Sequence, residues 1–119
     1  MTIHRVTGKA AGRSRGSAFG NLVTAVAVDP AAAPTVAEQT RNTLAQLDGI
    51  LAELGTDKTR LIQATVYLAD LRRKDEMEAE WVKWIGPDPK NWPQRACVGV
   101  TLMPSDLVEI VLVAAKGDA

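Results

Sequence analysis

Between residues 35 and 55 the apolar positions recur at helical spacing. Val36, Thr40, Leu44, Leu47, Leu51 and Leu54 fall three or four apart, which lines them up on one face of a long helix. Thr35 followed three residues later by Glu38 forms a capping box with Pro34 just ahead of it, and Gly55 is well placed to stop the helix. The pattern then changes period. In "RLIQATVYLA" alternate residues fall on alternate sides, Ile62, Ala64, Val66 and Leu68 on one and Leu61, Gln63, Thr65 and Tyr67 on the other, as in a strand. Asp70 can cap a second helix, whose Met77, Trp81, Trp84 and Ile85 repeat at i, i+4, i+7 and i+8 before Gly86-Pro87 ends it.

The flanks read as further strands. Ile3 to Val6 is a short one, "GKAAGRSRGS" is a small, basic, turn-rich connection, and Gly20-Asn21 in "AFGNLVTAVAV" marks a tight turn between two strands. "PDPKNWP" is a loop leading into "PQRACVGVTL", and a last strand runs from Leu107 to Ala114. The short Pro104-Ser105-Asp106 link suggests that these final two strands are antiparallel neighbours. The order is β-β-β-α-β-α-β-β, an α+β fold in which a mixed six-stranded sheet carries two helices on one face.

That leaves the other face of the sheet uncovered. In the fifth strand Ala96, Val98, Val100 and Leu102 form one row and Arg95, Cys97, Gly99 and Thr101 the other. In the last strand Val108, Ile110 and Leu112 alternate with Glu109, Val111 and Val113, so both sides are apolar over most of its length, the mark of a strand buried on both faces. With no chain left for a second helical layer, another copy of the protein is the natural cover, and a closed homo-oligomer is expected. Arg95 is expected on the face away from the helices, where that copy would meet it.

Composition narrows the chemistry. The 119 residues suit one domain over 1–119, and 14 Lys and Arg balance 14 Asp and Glu, so no net field draws nucleic acid or a membrane surface. The single cysteine, Cys97, rules out an intramolecular disulfide and suits a reducing compartment. The absence of an apolar leader or of a run near the roughly 20 residues of a membrane span points to the cytoplasm. One histidine and one cysteine leave little for a metal site, and no phosphate loop, nucleophile elbow or dinucleotide fingerprint is present. Chemistry must therefore use carboxylates, arginine, backbone groups or bound water.

A buried guanidinium needs an anion. Glu109 is the internal candidate, and the two could simply neutralise each other at a subunit contact. Alternatively, Arg95 pairs with the carboxylate of a small ligand while Glu109 handles a proton or a water.

At these residues the chain resembles a known family. "QRACVGVTLMPSDLVEIVLVAA", residues 94 to 115, is similar to the C-terminal signature of the YjgF family, also called Rid, the reactive-intermediate deaminases. "EQTRNTLAQLDGILAELGTDKTRLIQATVYLADL", residues 38 to 71, resembles its first helix and following strand. The resemblance implies a chorismate-mutase-like fold in a homotrimer with three clefts between subunits. It implies hydrolysis of 2-imino or 2-enamino acids to 2-keto acids and ammonia, with no metal or organic cofactor. Carried onto this chain, Arg95 would bind the substrate carboxylate, Cys97 would line the cleft, and Glu109 would position the attacking water. The chain departs from the family pattern at Ala27 and Val28, where glycine and glutamine are typical, and "GRSRGSAFG" lacks the usual tyrosine. This altered wall leaves a second possibility, a trimeric keto-acid-binding or chaperone-like protein that uses the same cleft without turnover.

Other residues weigh less. Cys97 has no histidine near it in the pattern and reads as packing, and His4 reads as a structural or solvated residue. Trp92, three residues before Arg95, could anchor its loop or close over bound substrate. Arg13 and Arg15, and Arg72, Arg73 and Lys74, have no interleaved aromatics and read as solvated surface rather than an RNA site.

Overall fold

Thr35 starts the first helix as its capping box implies. Its Oγ1 accepts the Glu38 N–H at 3.1 Å, and α1 runs Val36–Glu53. At the other end Gly55 takes φ +82°, with Thr56 N–H donating to the Leu51 carbonyl and Gly55 N–H to that of Ala52. This is a Schellman closure, whose left-handed position suits glycine. The computed structural model describes residues 1–117.

The strands are β1 (His4–Thr7), β2 (Ser14–Phe19), β3 (Leu22–Val28), β4 (Leu61–Leu68), β5 (Gln94–Gly99) and β6 (Val108–Ala115), with α2 (Lys74–Ile85) between β4 and β5. They form one six-stranded sheet in the order β1-β2-β3-β6-β4-β5. Among the described residues only β4 and β5 pair in parallel. Both helices lie on one face, where Leu44, Leu47, Ile50, Leu51 and Met77 meet Val23, Val66, Leu68, Ile110 and Leu112, all fully buried.

Three local expectations need correcting. β2 begins inside the stretch expected to be a connection. Its small residues serve close packing, since a Cβ on Gly16 would sit 2.6 Å from Ile50 Cγ2 of α1. Ile62 is 48% exposed instead of sharing the buried row of Ala64, Val66 and Leu68, because the register shifts between Leu61 and Gln63 and a bulge breaks the alternation. Asp70 caps a short 3₁₀ turn, Leu71–Arg73, and α2 itself begins at Lys74.

The last two strands are not neighbours. The β4-α2-β5 unit is a crossover, which lays β5 parallel beside β4 at the edge of the sheet. Strand β6, apolar on both sides, instead takes the central slot between β3 and β4. The double-sided apolar pattern marked the most enclosed strand, and the short link to it did not dictate its partner.

The turn from β3 into α1 is organised by Asp29, which is 3% exposed. Its carboxylate accepts from Ala31 N–H at 2.8 Å, Ala33 N–H at 2.9 Å and Asn42 Nδ2 at 3.1 Å. Burial alone would raise its pKa, but these three donors together hold it below the ordinary 3.8. A depressed native pKa gives stability that is complete above the unfolded value and fades as pH falls through the native one. Asp29→Asn is therefore expected to lower stability at neutral pH by about 1–3 kcal/mol. Denaturant titrations of both proteins from neutral to acid pH should show the gap closing below 3.8.

Among the described residues the opposite face carries no helix. Thr24, Val26 and Val28 of β3, Glu109, Val111 and Val113 of β6, Thr65 and Tyr67 of β4, and Ala96 and Val98 of β5 point out of it, and Val98 is 42% exposed. Among the described residues no helix is long and apolar enough to cross a membrane.

Candidate functional site

Arg95 does not lie on the open face. In the β4–β5 ladder it is level with Ala64, and Cys97 with Val66, so both point toward the helical layer with those buried residues. The expectation took the more apolar row of β5, Ala96, Val98 and Val100, as the one beneath the helices. At a sheet edge only partly roofed by α2, the inward row can carry a charge, and the apolar row faces outward.

The guanidinium is held by α2. Arg95 Nη2 forms an ion pair with Glu78, Nη1 comes within 4.0 Å of Met77 Sδ, and Cζ lies 5.2 Å from the Trp81 ring centroid, within cation–π range. Arg95's side chain is 15% exposed and that of Glu78 42%, so the pair sits at a rim that solvent reaches through Glu78. Glu78 was not singled out in the sequence, where it lies inside the acidic run of a mixed-charge helix. The signal that could have found it is its place one residue after the buried Met77, on the flank of α2 facing the β5 edge.

Cys97 shares the inward row of Arg95, half-buried and packed against the core. Beyond it Gly99 admits the side chain of Leu71, whose Cγ would stand 2.7 Å from a Cβ there. Trp92 is 54% exposed, and its indole N–H donates to the Gly86 carbonyl at 2.9 Å, which ties the loop to the end of α2. Arg72 and Arg73 are paired with Asp70 and Glu76, in keeping with a solvated surface.

Glu109 stands on the opposite, open face at the middle of the sheet. It is level with Val28 of β3 and Tyr67 of β4. It is half-buried, with no hydrogen bond or ion pair to any described residue. Strand β4 separates it from β5, and it lies three residues along from Leu112, the β6 residue level with Ala64 and hence Arg95. With strands ~4.8 Å apart and a rise of ~3.3 Å per residue, the two backbones are about 14 Å apart and their side chains leave opposite faces. They therefore cannot neutralise each other within one chain, and no small ligand touches both. Among the described residues, cavities open elsewhere, two of which stand out. One of about 270 Å³ lies at the start of α1, lined by residues that include Thr35, Asp70 and Arg73. The other, of about 370 Å³, lies between β1 and the end of α1.

Residues 20–116 match the profile of the family described as Endoribonuclease L-PSP. The chain belongs to the YjgF/RutC family. A RutC family protein of Haemophilus ducreyi is 42% identical over 79 residues, 66% of either chain, and the RutC family protein YoaB of Escherichia coli K12 is 40% identical over 79 residues, 66% of this chain and 68% of that one. The aligned stretch thus spans about two thirds of these relatives. The crystal structure of a YjgF-family protein from Neisseria meningitidis, 36% identical, superposes with a TM-score of 0.91 over 100% of this chain and 98% of that one. The expected α+β architecture is thereby the family's own.

Proposed function

We propose that the protein hydrolyses small 2-imino or 2-enamino acids to 2-keto acids and ammonia in clefts between the subunits of a homotrimer. One observation carries the reading: Glu109, at the centre of an uncovered and largely apolar sheet face, is a carboxylate with no ion pair or hydrogen bond among the described residues. A second copy laid on that face would shield Val26, Val28, Val98 and Val111 from water and enclose Glu109 in a pocket. Because Arg95 stands on the other face at the β5 edge, the cleft combines the two from different protomers, the edge of one meeting the open face of the next.

In that cleft Arg95 binds the substrate carboxylate. Glu109 takes a proton from a water as its oxygen adds to the imine carbon and passes it to the nitrogen, giving a carbinolamine; it then takes the hydroxyl proton and hands it to the same nitrogen as the C=O forms and the C–N bond breaks, releasing ammonia and the keto acid. An imine is already electrophilic, so orientation and proton transfer suffice. The chain's own contribution is the pair of charges and a wall of valines.

Glu78 already occupies Arg95 and has to yield to substrate. Glu78→Gln is therefore expected to lower KM for 2-iminopropanoate, generated in situ and followed by ammonia release, by about 3–10-fold, with kcat little changed. An unchanged KM would mean that the pair is structural. Failure of the unaltered protein to release ammonia above the spontaneous rate would sink the deaminase reading itself.

A second reading, binding of keto acids without turnover, is favoured by Val28, which puts an apolar side chain directly beside Glu109. Thermal stabilisation by pyruvate without ammonia release from the imine would select it.

A further inference from the structure

We infer that the outer edge of β1 is a docking strand for an extended segment of a partner protein whose side chains alternate apolar and acidic. Three separate features converge there. First, among the described residues β1 pairs only with β2, so its outer edge is open to another strand, the Thr7 carbonyl alone being already engaged, by Arg15 Nε. Second, a cavity of about 370 Å³ lies beside it, lined by the buried Val6, Ala18 and Leu54 and by His4, Lys116 and part of Arg5. Third, the charge of the molecule is segregated. Residues 1–28 hold Arg5, Lys9, Arg13 and Arg15, and all 14 carboxylates lie from Asp29 onward.

The overall balance of charge thus hides a cationic end. Arg41, Arg72, Arg73, Lys83 and Arg95 are paired with carboxylates. Among the described residues none of the four basic side chains of the first hairpin is. Arg5 donates to Ser17 Oγ at 2.9 Å, and Arg15 to the Thr7 carbonyl and Gln46 Oε1. Strand parity sets the pattern of the incoming segment. His4 and Val6 point to the cavity side and Arg5 and Thr7 to the other, so an added strand meets the cavity with one row of side chains and Arg5 with the alternate row. Apolar residues suit the first, where Glu53 also lines the cavity, and carboxylates suit the second. A second copy of β1 is a poor occupant because like charges would oppose. A single-stranded nucleic acid would find no phenylalanine, tyrosine or tryptophan on β1 or the loop after it, only the His4 imidazole, on which to stack its bases.

The test uses the whole protein and a short fluorescent peptide of alternating valine and glutamate, read by anisotropy at low salt. Control ligands are the same peptide with lysine for glutamate, a version with proline at its central valine, and an oligouridylate. The valine–glutamate peptide should bind, at least about tenfold more weakly to Arg5→Glu/Lys9→Glu, a surface variant whose fold circular dichroism can verify. The proline version should lose as much, since it cannot complete the strand ladder. No binding of the valine–glutamate peptide, equal binding by the lysine peptide or the proline peptide, indifference to the double variant, or binding of the oligouridylate alone would each overturn the proposal.

Discussion

Arg95→Ala should reduce kcat/KM for 2-iminopropanoate by about 10²–10³-fold, the scale of removing a doubly hydrogen-bonded charge from a ligand carboxylate. The loss should appear mainly in KM, because in the proposed cleft the guanidinium would hold the carboxylate before and during water attack alike. The fold should survive. Arg95 sits at a sheet edge, its partner Glu78 is 42% exposed in its side chain, and an unpaired Glu78 can turn to solvent. What the variant loses is the stacking on Trp81 and the contact with Met77, a modest packing cost. Arg95→Lys separates charge from geometry: an ammonium keeps the attraction but not the planar fork, so it should restore only part of the affinity. Wild-type kinetics in Arg95→Ala would remove this residue from the site.

Glu109→Gln should act on the other parameter. The amide is close in size and keeps the packing against Val28 and Tyr67, but it cannot accept a proton from water. A fall in kcat of about 10²–10⁴-fold, with KM within a few-fold of the original, is the expected signature of a lost general base. Folding should not suffer, since Glu109 forms no ion pair or hydrogen bond within the chain among the described residues. An effect on KM alone would recast Glu109 as part of the substrate's seat.

Much of the architecture could be read from residue order because local signals agreed with the global fold. The capping box at Thr35 and Glu38, the stripe from Val36 to Leu54 and the closure at Gly55 all specify the same helix. The alternation from Ala64 to Leu68 held as well. What failed was lateral placement. Hydrophobic alternation says which residues share a side of a strand. It does not say which side is roofed, and at the edge strand β5 the apolar row turned out to be the open one. Adjacency misled in the same way: Pro104-Ser105-Asp106 suggested a hairpin, but the crossover through α2 took β5 to the edge and left the centre to β6.

The same limits apply to the site. Arg95, Cys97 and Glu109 could be named from residue type and family resemblance. Their arrangement could not, because it depends on β4 lying between β5 and β6. Glu78 stayed hidden among the acidic residues of α2, where only the packing of that helix over the β5 edge distinguishes it. The charge balance was also a poor guide: 14 against 14 conceals a hairpin with no carboxylate.

The most direct test mixes two proteins that are each nearly inactive at substrate concentrations well below the original KM. Arg95→Ala and Glu109→Gln, unfolded together in equal amounts and reassembled, should form hybrid trimers if the protein assembles as proposed. If each cleft takes its guanidinium from one protomer and its carboxylate from the next, about a quarter of the clefts should hold both native groups and ammonia release should return to about that fraction of the original rate. Hybrid trimers as inactive as either parent would contradict a cleft built from two copies and place both groups, or neither, in the same protomer's site.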